Sequence, residues 1–240
     1  MCGRYVRRSD KQRIAEAFRL AELPELPLPP DYNIAPATFQ PVIRLNRDTG
    51  EREMVLMRWG LVPYFAKSLL DWKGFSTINA KAETLQERAL WRGPFQKRRC
   101  LVPADGFYEW KKIDPKTKQP WVYTLTDGLP FAFAGLWHAW KNPDTGDWLQ
   151  SFAVITTTPN ELTAEVHDRM PVILHPRDYD RWLERGHVEQ PPVDLLRPYE
   201  AEAMHAAKAH PKVGNVRNNG PEMLQGPDDE GEPMALLNSK

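Results

Sequence analysis

The sequence lacks the patterns that would place the chain in a membrane or attach a common cofactor. No stretch reaches the roughly 18 apolar residues of a membrane-spanning helix, and no basic-then-apolar signal segment stands at the start. The six histidines have no paired helical spacing, and Cys-x-x-Cys, Gly-rich phosphate loops and the Gly-x-Ser-x-Gly elbow are absent. We therefore expect a cytoplasmic protein with no membrane association, no metal and no small-molecule cofactor.

Cysteine is scarce, with only Cys2 and Cys100 in 240 residues. Two cysteines so far apart do not indicate a disulfide framework, and a reducing compartment would leave both thiols free. Cys100 lies between Arg99 and Leu101 in a strand-like run, which predicts a buried small hydrophobic side chain and not a second nucleophile.

The formal net charge of the chain is zero, which argues against a uniformly basic nucleic-acid binder. Residues 1–120, however, hold 22 Lys and Arg against 14 Asp and Glu, whereas residues 121–240 hold 10 against 18. A basic face on the first half could attract a phosphate backbone, although scattered surface charges produce the same asymmetry. Residues 225–240 form an acidic tail that we expect to be disordered. We expect the chain to act as a monomer.

Proline is abundant, with 23 residues, about twice the average frequency, which predicts many turns and short elements. Ser9 and Asp10 can cap a helix that runs to about Leu20. Alternation and turn signals predict strands at residues 40–45, 53–59, 97–102, 106–112, 121–125, 131–140 and 148–156, the first two as a hairpin. Helices are predicted at residues 81–90, 160–166 and 176–184; residues 201–209 stay open between helix and strand, and residues 212–216 resemble a strand. The pattern predicts one α+β domain with a curved, barrel-like antiparallel sheet core and short flanking helices.

Cys2 stands directly behind the initiator methionine, which is normally trimmed when the next residue is small. The mature chain would then begin with an amine and a thiol on adjacent carbons, a 1,2-aminothiol that no internal residue can offer. Such a pair can condense with an aldehyde through the amine and close a five-membered ring through the sulfur. The alternative is a disordered N-terminus that carries a cysteine by chance.

Three further residues could complete a reactive site with Cys2. Asn79 could contribute an amide, or could cap a helix. Alternation along residues 106–112 puts Glu109 on the same face as Phe107, and a carboxylate facing a core needs a function or a partner. His167, at the end of a predicted helix, could carry protons or cap the helix C-terminus.

Seven blocks, in order, resemble the SOS-response-associated peptidase (SRAP) family and span residues 2–224. They are residues 2–5 (Cys-Gly-Arg-Tyr), 32–36 (Tyr-Asn-Ile-Ala-Pro), 59–63 (Trp-Gly-Leu-Val-Pro), 79–84 (Asn-Ala-Lys-Ala-Glu-Thr), 103–110 (Pro-Ala-Asp-Gly-Phe-Tyr-Glu-Trp), 167–171 (His-Asp-Arg-Met-Pro) and 213–220 (Val-Gly-Asn-Val-Arg-Asn-Asn-Gly). The resemblance implies the family's barrel-like α+β domain with a basic channel for a DNA strand.

The resemblance further implies a protein of the DNA damage response that senses abasic sites in single-stranded DNA. The mature Cys2 would attack the aldehyde of the opened deoxyribose, first as a Schiff base and then as a thiazolidine, leaving a stable DNA–protein crosslink. The resemblance also implies an activity of the hydrolase, peptidase or lyase type.

By the same resemblance, each site residue takes a role. Cys2 is the nucleophile, Asn79 orients the sugar or amine, Glu109 assists amine activation, and His167 is the general acid/base. DNA contacts fall to Arg4, Asn33, Pro36, Trp59, Phe65, Lys81 and Arg169. Two of these depart from the family pattern: Lys81 stands where Arg is common, and Phe65 stands near where Trp is common.

Three other functions compete with this reading. A glutamine amidotransferase of the N-terminal-nucleophile class also begins Met-Cys-Gly, but its glutamine-binding loops are missing and Arg4 replaces an aliphatic residue. A thiol peptidase, including one that removes its own Met1, could use Cys2 with His167. A non-enzymatic single-strand binder would need no free amine at Cys2.

Overall fold

The computed structural model describes residues 2–23, 25, 27–69, 72, 77–184 and 191–227. Most of the predicted acidic tail, residues 228–240, lies outside this part of the chain. No helix within the described residues is long and apolar enough to cross a membrane.

Five strands close into a barrel in the order β10–β4–β3–β6–β9 and back to β10. These strands are β3 (Phe39–Leu45), β4 (Arg52–Trp59), β6 (Arg99–Ala104), β9 (Phe131–Lys141) and β10 (Trp148–Thr157). The neighbours pair antiparallel except β10 with β4, which pair parallel and complete the ring. The predicted α+β fold with a barrel-like core is confirmed, with this parallel closure as the difference.

A second antiparallel sheet packs against the barrel in the order β13–β8–β7–β1–β2. Its strands are β1 (Tyr5–Arg7), β2 (Asp31–Ile34), β7 (Gly106–Lys112), β8 (Lys118–Leu125) and β13 (Met204–Lys208). Three short strands extend the barrel sheet: β5 (Asn79–Lys81), β11 (Met170–Pro171) and β12 (Ile173–Leu174). Because β1 lies between β2 and β7, the start of the chain is held inside the second sheet.

The helices are short, as predicted. They are α1 (Lys11–Phe18), α2 (Ala89–Lys97), α3 (Glu161–Ala164) and α4 (Tyr179–Leu183). Single 3₁₀ turns occur at Ala82–Thr84, Pro176–Asp178, Val193–Leu195, Ala201–Ala203, Pro211–Gly214 and Pro221–Leu224. The predicted cap of α1 is confirmed, because the Asp10 side chain accepts a hydrogen bond from the Arg13 backbone N–H at 2.8 Å.

Two large clusters form the core. One lies between the barrel and its helices and includes Phe18, Trp91 and Trp182. The other joins the barrel to the second sheet and includes Cys2 and Trp59. The N-terminal cysteine therefore belongs to the core between the two sheets.

Two segments differ from the prediction. Residues 81–90 do not form a helix: β5 pairs parallel with β10, and α2 begins only at Ala89. This distant pairing overrides the local helix propensity of the Ala- and Glu-rich run. Residues 212–216 are not a strand, because Pro211 starts a 3₁₀ turn there. The open segment 201–209 contains strand β13, which pairs with β8.

Candidate active site

The backbone of Cys2 is fixed by a side chain from the barrel sheet. The Asn79 amide nitrogen donates a hydrogen bond to the Cys2 carbonyl oxygen at 2.8 Å. Asn79 is buried in β5, where it pairs with Val154 of β10. The alternative that Asn79 caps a helix is therefore wrong.

Glu109 reaches the same core from β7. Strand alternation places it on the face of Phe107, as predicted, and both side chains are buried. Phe107 stacks on Tyr123 with ring centroids 5.0 Å apart, so the carboxylate borders an aromatic wall. Burial raises the pKa of Glu109 to about 7, although the positive charge at the start of the chain opposes this rise. Near neutral pH this group can both give and take a proton.

The Glu109 carboxylate acts on the Cys2 thiol. Burial raises the pKa of the Cys2 thiol, and the negative charge of Glu109 raises it further. The positive charge at the start of the chain opposes this rise, and a hydrogen bond with the Arg4 backbone opposes it less strongly. At neutral pH the sulfur is therefore a thiol, and its reaction needs a nearby group that accepts the proton.

His167 follows α3, in a turn closed by its own backbone N–H donating to the Thr163 carbonyl at 3.0 Å. Its ring nitrogen Nδ1 accepts a hydrogen bond from the Arg169 backbone N–H at 3.0 Å and lies 2.9 Å from the exposed Asp168 carboxylate. These two contacts need opposite placement of the proton. The backbone donor is fixed, and burial lowers the pKa of His167, so the neutral ring with a proton on Nε2 fits better.

Electrostatic coupling places His167 and Glu109 at one site. The positive chain terminus lowers the pKa of both residues, after the effect of burial on each. Asp168 acts on both as well, raising the pKa of each. Asn79 and Glu109 therefore each act on Cys2, and Glu109 and His167 both lie within reach of the charge of Asp168.

Arg4 is held beside this site by Asn33. One Arg4 guanidinium nitrogen donates to the Asn33 side-chain oxygen at 2.6 Å and to the Val213 carbonyl at 2.7 Å. The Asn33 amide donates to the Asn215 and Asn218 carbonyls at 3.0 and 2.7 Å. Asn33 is only 4% exposed, so it orients Arg4 and the segment near residue 215 and offers little surface of its own.

Arg169 and Lys81 each stand two residues after a predicted site residue, His167 and Asn79. Arg169 forms a two-point ion pair with Glu83 at 2.6 and 2.9 Å and also donates to the Thr156 carbonyl at 2.6 Å. Lys81 is exposed at the end of β5 and contributes to lowering the pKa of Glu83, after the larger effect of Arg169. A phosphate that approached Arg169 would meet a guanidinium already oriented by Glu83.

The three remaining predicted DNA contacts lie at different depths. Phe65 is 56% exposed and is free to meet a base. Pro36 is half-buried and precedes Ala37, which has a left-handed φ of 70°. Trp59 is fully buried and packs edge-on against Tyr5 at 5.2 Å, so its ring supports the site from within and offers no face to DNA.

Two residues of this site were not found from the sequence alone. Glu83 orients Arg169, and Asp168 adjoins His167 and acts on Glu109. Both stand inside recognisable blocks, two residues from Lys81 and one from His167, so the signal was their place in those blocks. No group of three or more His, Cys, Asp or Glu side chains in the described part of the chain could hold a metal ion.

Comparison with known proteins identifies the family of the chain. The model of the family described as SOS response associated peptidase (SRAP) matches residues 1–216. The chain is a member of the SRAP family. It is 40% identical over 227 residues to the abasic site processing protein YoqW of Bacillus subtilis (strain 168), covering 94% of this chain and 99% of YoqW.

A relative at lower identity and two solved structures extend the comparison. The abasic site processing protein HMCES of Xenopus tropicalis is 32% identical over 221 residues, which cover 81% of this chain and 65% of HMCES. A crystal structure of a Bacteroides thetaiotaomicron protein superposes with a TM-score of 0.81 at 26% identity, covering 94% of this chain and 99% of that one. A Bordetella bronchiseptica protein gives a TM-score of 0.75 at 29% identity, with 87% and 100% covered. The SRAP fold is therefore shared along nearly the whole chain.

Proposed function

We propose that this SRAP protein recognises abasic sites in single-stranded DNA and crosslinks to them through the mature N-terminal Cys2. The observation that carries the proposal is the position of Cys2, buried beside Asn79 and Glu109 at the start of the chain. The names of its relatives, which are abasic site processing proteins, support the lesion as substrate.

The chemistry needs only the 1,2-aminothiol and proton carriers. Once Met1 is removed, the Cys2 amine attacks C1′ of the open-chain deoxyribose, and the carbonyl oxygen leaves as water to give an imine. The sulfur then adds to the same carbon, and its proton passes to the nitrogen, which closes the thiazolidine ring. No oxidant or reductant takes part, and one water is released per crosslink.

Glu109 and His167 supply the proton transfers. Glu109, with its pKa raised by burial to about 7, takes a proton from the Cys2 ammonium and helps move the thiol proton as the ring closes. Neutral His167, with a proton on Nε2, donates to the ring oxygen of the closed sugar and exposes the aldehyde. Asn79 holds the Cys2 backbone so that the amine meets C1′ in one orientation.

Positive side chains near the proposed site residues support single-stranded DNA as the partner. Arg4 follows Cys2 by two residues, Lys81 follows Asn79 by two residues, and Arg169 follows His167 by two residues. Phosphates drawn to these groups would lay the strand across the start of the chain, and a duplex would have to open first. Phe65 offers an exposed ring on which a base can stack.

A peptidase acting on other proteins is less well supported. Such an enzyme needs a reactive thiolate, whereas burial and Glu109 raise the pKa of the Cys2 thiol. Thiazolidine closure tolerates a protonated thiol, because the proton moves to nitrogen within the same ring.

The decisive comparison uses the two cysteines of the chain. A single-stranded oligonucleotide with one abasic site is incubated with wild type, Cys2→Ala, Cys2→Ser and Cys100→Ala, and heat-stable adducts are separated on a denaturing gel. Wild type and Cys100→Ala should form the stable adduct, Cys2→Ser at most a borohydride-trapped imine, and Cys2→Ala no stable adduct. A stable adduct from Cys2→Ala at the wild-type rate would sink the proposal.

A further inference from the structure

A cavity of about 240 Å³ lies on the helix side of the barrel, apart from the Cys2 site. We call it the helix pocket. Its lining residues are Pro63, Tyr64, Phe65, Ala89, Leu90, Gly93, Pro94, Lys97, Arg98 and His138. The volume is below the roughly 300–1,000 Å³ typical of sites for drug-sized ligands, which suits one flat ring better than a larger molecule.

Aromatic side chains form one wall of the helix pocket. Tyr64 lies between Phe65 and His138, with ring centroids 5.4 and 5.9 Å away. Tyr64 and Phe65 are 74% and 56% exposed, an unusual arrangement for two adjacent rings of this size. Exposed rings beside a cavity provide stacking surfaces for a nucleobase.

The other wall of the helix pocket contains two polar side chains, Arg98 and His138, each with a buried nitrogen that lacks a normal hydrogen bond to any described residue. Within the described residues, Arg98 Nη1 is buried and has no hydrogen-bond partner. The His138 ring contacts the Ala139 backbone, but its buried Nδ1 forms no hydrogen bond of normal geometry. Buried polar atoms are nearly always paired in folded proteins, so these two point to a ligand with complementary groups.

The charge around the helix pocket is positive. Lys97 of α2 and Arg98 directly after it line the pocket, and α2 contains no acidic residue. Burial, and to a lesser degree the nearby Arg98, lower the pKa of His138 to about 4, so this ring is neutral and leaves the cationic groups to an anion. A ligand that combines a flat ring with a phosphate matches both walls.

The chain also links the helix pocket to the Cys2 site. Residues 60–65 run from Trp59, which packs on Tyr5 near Cys2, to Phe65 in the pocket wall. Along β10, the partners of His138 and Asn79 are Ser151 and Val154, three residues apart, so the two side chains lie on opposite faces of the sheet and residues 60–65 are the connection between the two places.

We propose that the helix pocket binds one nucleotide of a single-stranded DNA chain, with its base against Tyr64, Phe65 and His138 and its phosphate on Arg98 and Lys97. The identity of the strand rests on the proposed function. The pocket itself needs no abasic site and no Cys2 chemistry.

Gly93 permits a direct test, because a Cβ added there meets no atom within 4 Å. Gly93→Leu should fill the helix pocket without disturbing the fold, and Arg98→Gln should remove its phosphate partner. Gln96→Leu and Arg92→Gln are matched controls on the same helix, since neither residue lines the pocket. Melting curves establish that all four variants fold.

Binding is measured by fluorescence anisotropy with an undamaged oligothymidylate and with a strand of equal length and charge that lacks bases. On oligothymidylate, Gly93→Leu and Arg98→Gln should each raise the Kd by about 5-fold or more, and both controls should match wild type. On the strand without bases, only Arg98→Gln should matter. Wild-type affinity of folded Gly93→Leu for oligothymidylate would overturn the proposal.

Two further measurements distinguish the pocket proposal from a free-nucleotide site and from the proposed function. If thymidine monophosphate binds in a Gly93-dependent way while oligothymidylate binding does not depend on Gly93, the pocket serves a free nucleotide and the strand assignment is wrong. Crosslinking to an abasic oligonucleotide is scored separately, at saturating DNA. If wild type failed to crosslink, the proposed function would be wrong. The pocket proposal is decided separately, by the affinities for the undamaged strand.

Discussion

The Asn79 side chain donates a hydrogen bond to the carbonyl oxygen of Cys2 at 2.8 Å, across 77 residues of sequence. This contact ties the backbone of Cys2 to β5 and, through the pairing of β5 with β10, to the barrel. If Cys2 reacts through its own amine, as we propose, one buried amide helps to fix the position of that amine.

Asn79→Asp should slow adduct formation by about 10- to 100-fold, because it removes the donor and places a carboxylate against a carbonyl. The new carboxylate also repels phosphate, so the rate is measured at saturating DNA. Single-turnover crosslinking and binding are measured in parallel. Asn46→Asp, in the distant β3–β4 turn, is the matched control and should keep the wild-type rate. An unaltered rate in Asn79→Asp would show that the contact is structural only.

Glu109 should make stability depend on pH. Its folded pKa of about 7 lies above the ordinary value of 4.5, so the protonated form favours the folded state. The resulting stability is fully present below about pH 4.5 and is lost as the pH rises to about 7. Glu109→Gln, which stays neutral, should therefore be more stable than wild type at about pH 8 by up to about 3 kcal/mol.

Urea unfolding of both proteins at about pH 4.5 and about pH 8 checks this prediction, because the advantage of Glu109→Gln should vanish at the lower pH. The same variant should crosslink about 10²- to 10⁴-fold more slowly if Glu109 moves protons. Equal stability at both pH values, together with a wild-type rate, would remove Glu109 from the site.

Asn33 should matter for DNA affinity through Arg4. Asn33→Ala removes the acceptor for Arg4 and both donors to residues 215 and 218, and should cost about 1–3 kcal/mol of stability. If Arg4 contacts a phosphate, the salt dependence of DNA binding should also fall by about one charge. Asn33→Asp keeps the acceptor for Arg4, so it should lose stability but retain the salt slope. If the salt dependence of DNA affinity were unchanged in Asn33→Ala, Arg4 would not be a phosphate contact that depends on Asn33.

Cys100 should be structural, in contrast to Cys2. It is fully buried in β6, and a Cβ added at the neighbouring Gly135 would lie 2.8 Å from its sulfur and 2.9 Å from a Val102 methyl. Gly135→Ala should therefore destabilise the fold by about 1–3 kcal/mol, measured by urea unfolding. Gly93→Ala, which meets open space, should be neutral or slightly stabilising. A Gly135→Ala variant as stable as wild type would contradict the tight packing at Cys100.

Local signals in the sequence predicted much of the fold. Asp10 predicted the start of α1, because a capping side chain bonds within the first turn of its helix. Alternation predicted the β3–β4 hairpin and β7, because the two-residue period of a strand is a local pattern. Residues 79–90 were harder, since their strand exists only through pairing with β10, more than 70 residues away. Parallel pairing leaves no turn signal in the sequence.

The features of the site also divide into those that follow from the sequence and those that do not. The position of Cys2 and the face of Glu109 follow from the sequence, and the structure places both in one buried core. The orienting bonds do not follow from it: Arg4 to Val213 spans 209 residues, and Arg169 to Glu83 spans 86. Such contacts depend on how the two sheets and their loops assemble, and no local pattern encodes them.

Intact mass after incubation with abasic single-stranded DNA tests the proposed crosslink. A thiazolidine at Cys2 predicts a protein that lacks Met1 and carries one DNA strand, with a mass equal to the sum of the two less one water. Borohydride treatment should leave this mass unchanged, because a thiazolidine has no C=N bond to reduce. A gain of two hydrogens would show that the adduct stops at the imine, and an adduct on a chain that retains Met1 would contradict the role of the Cys2 amine.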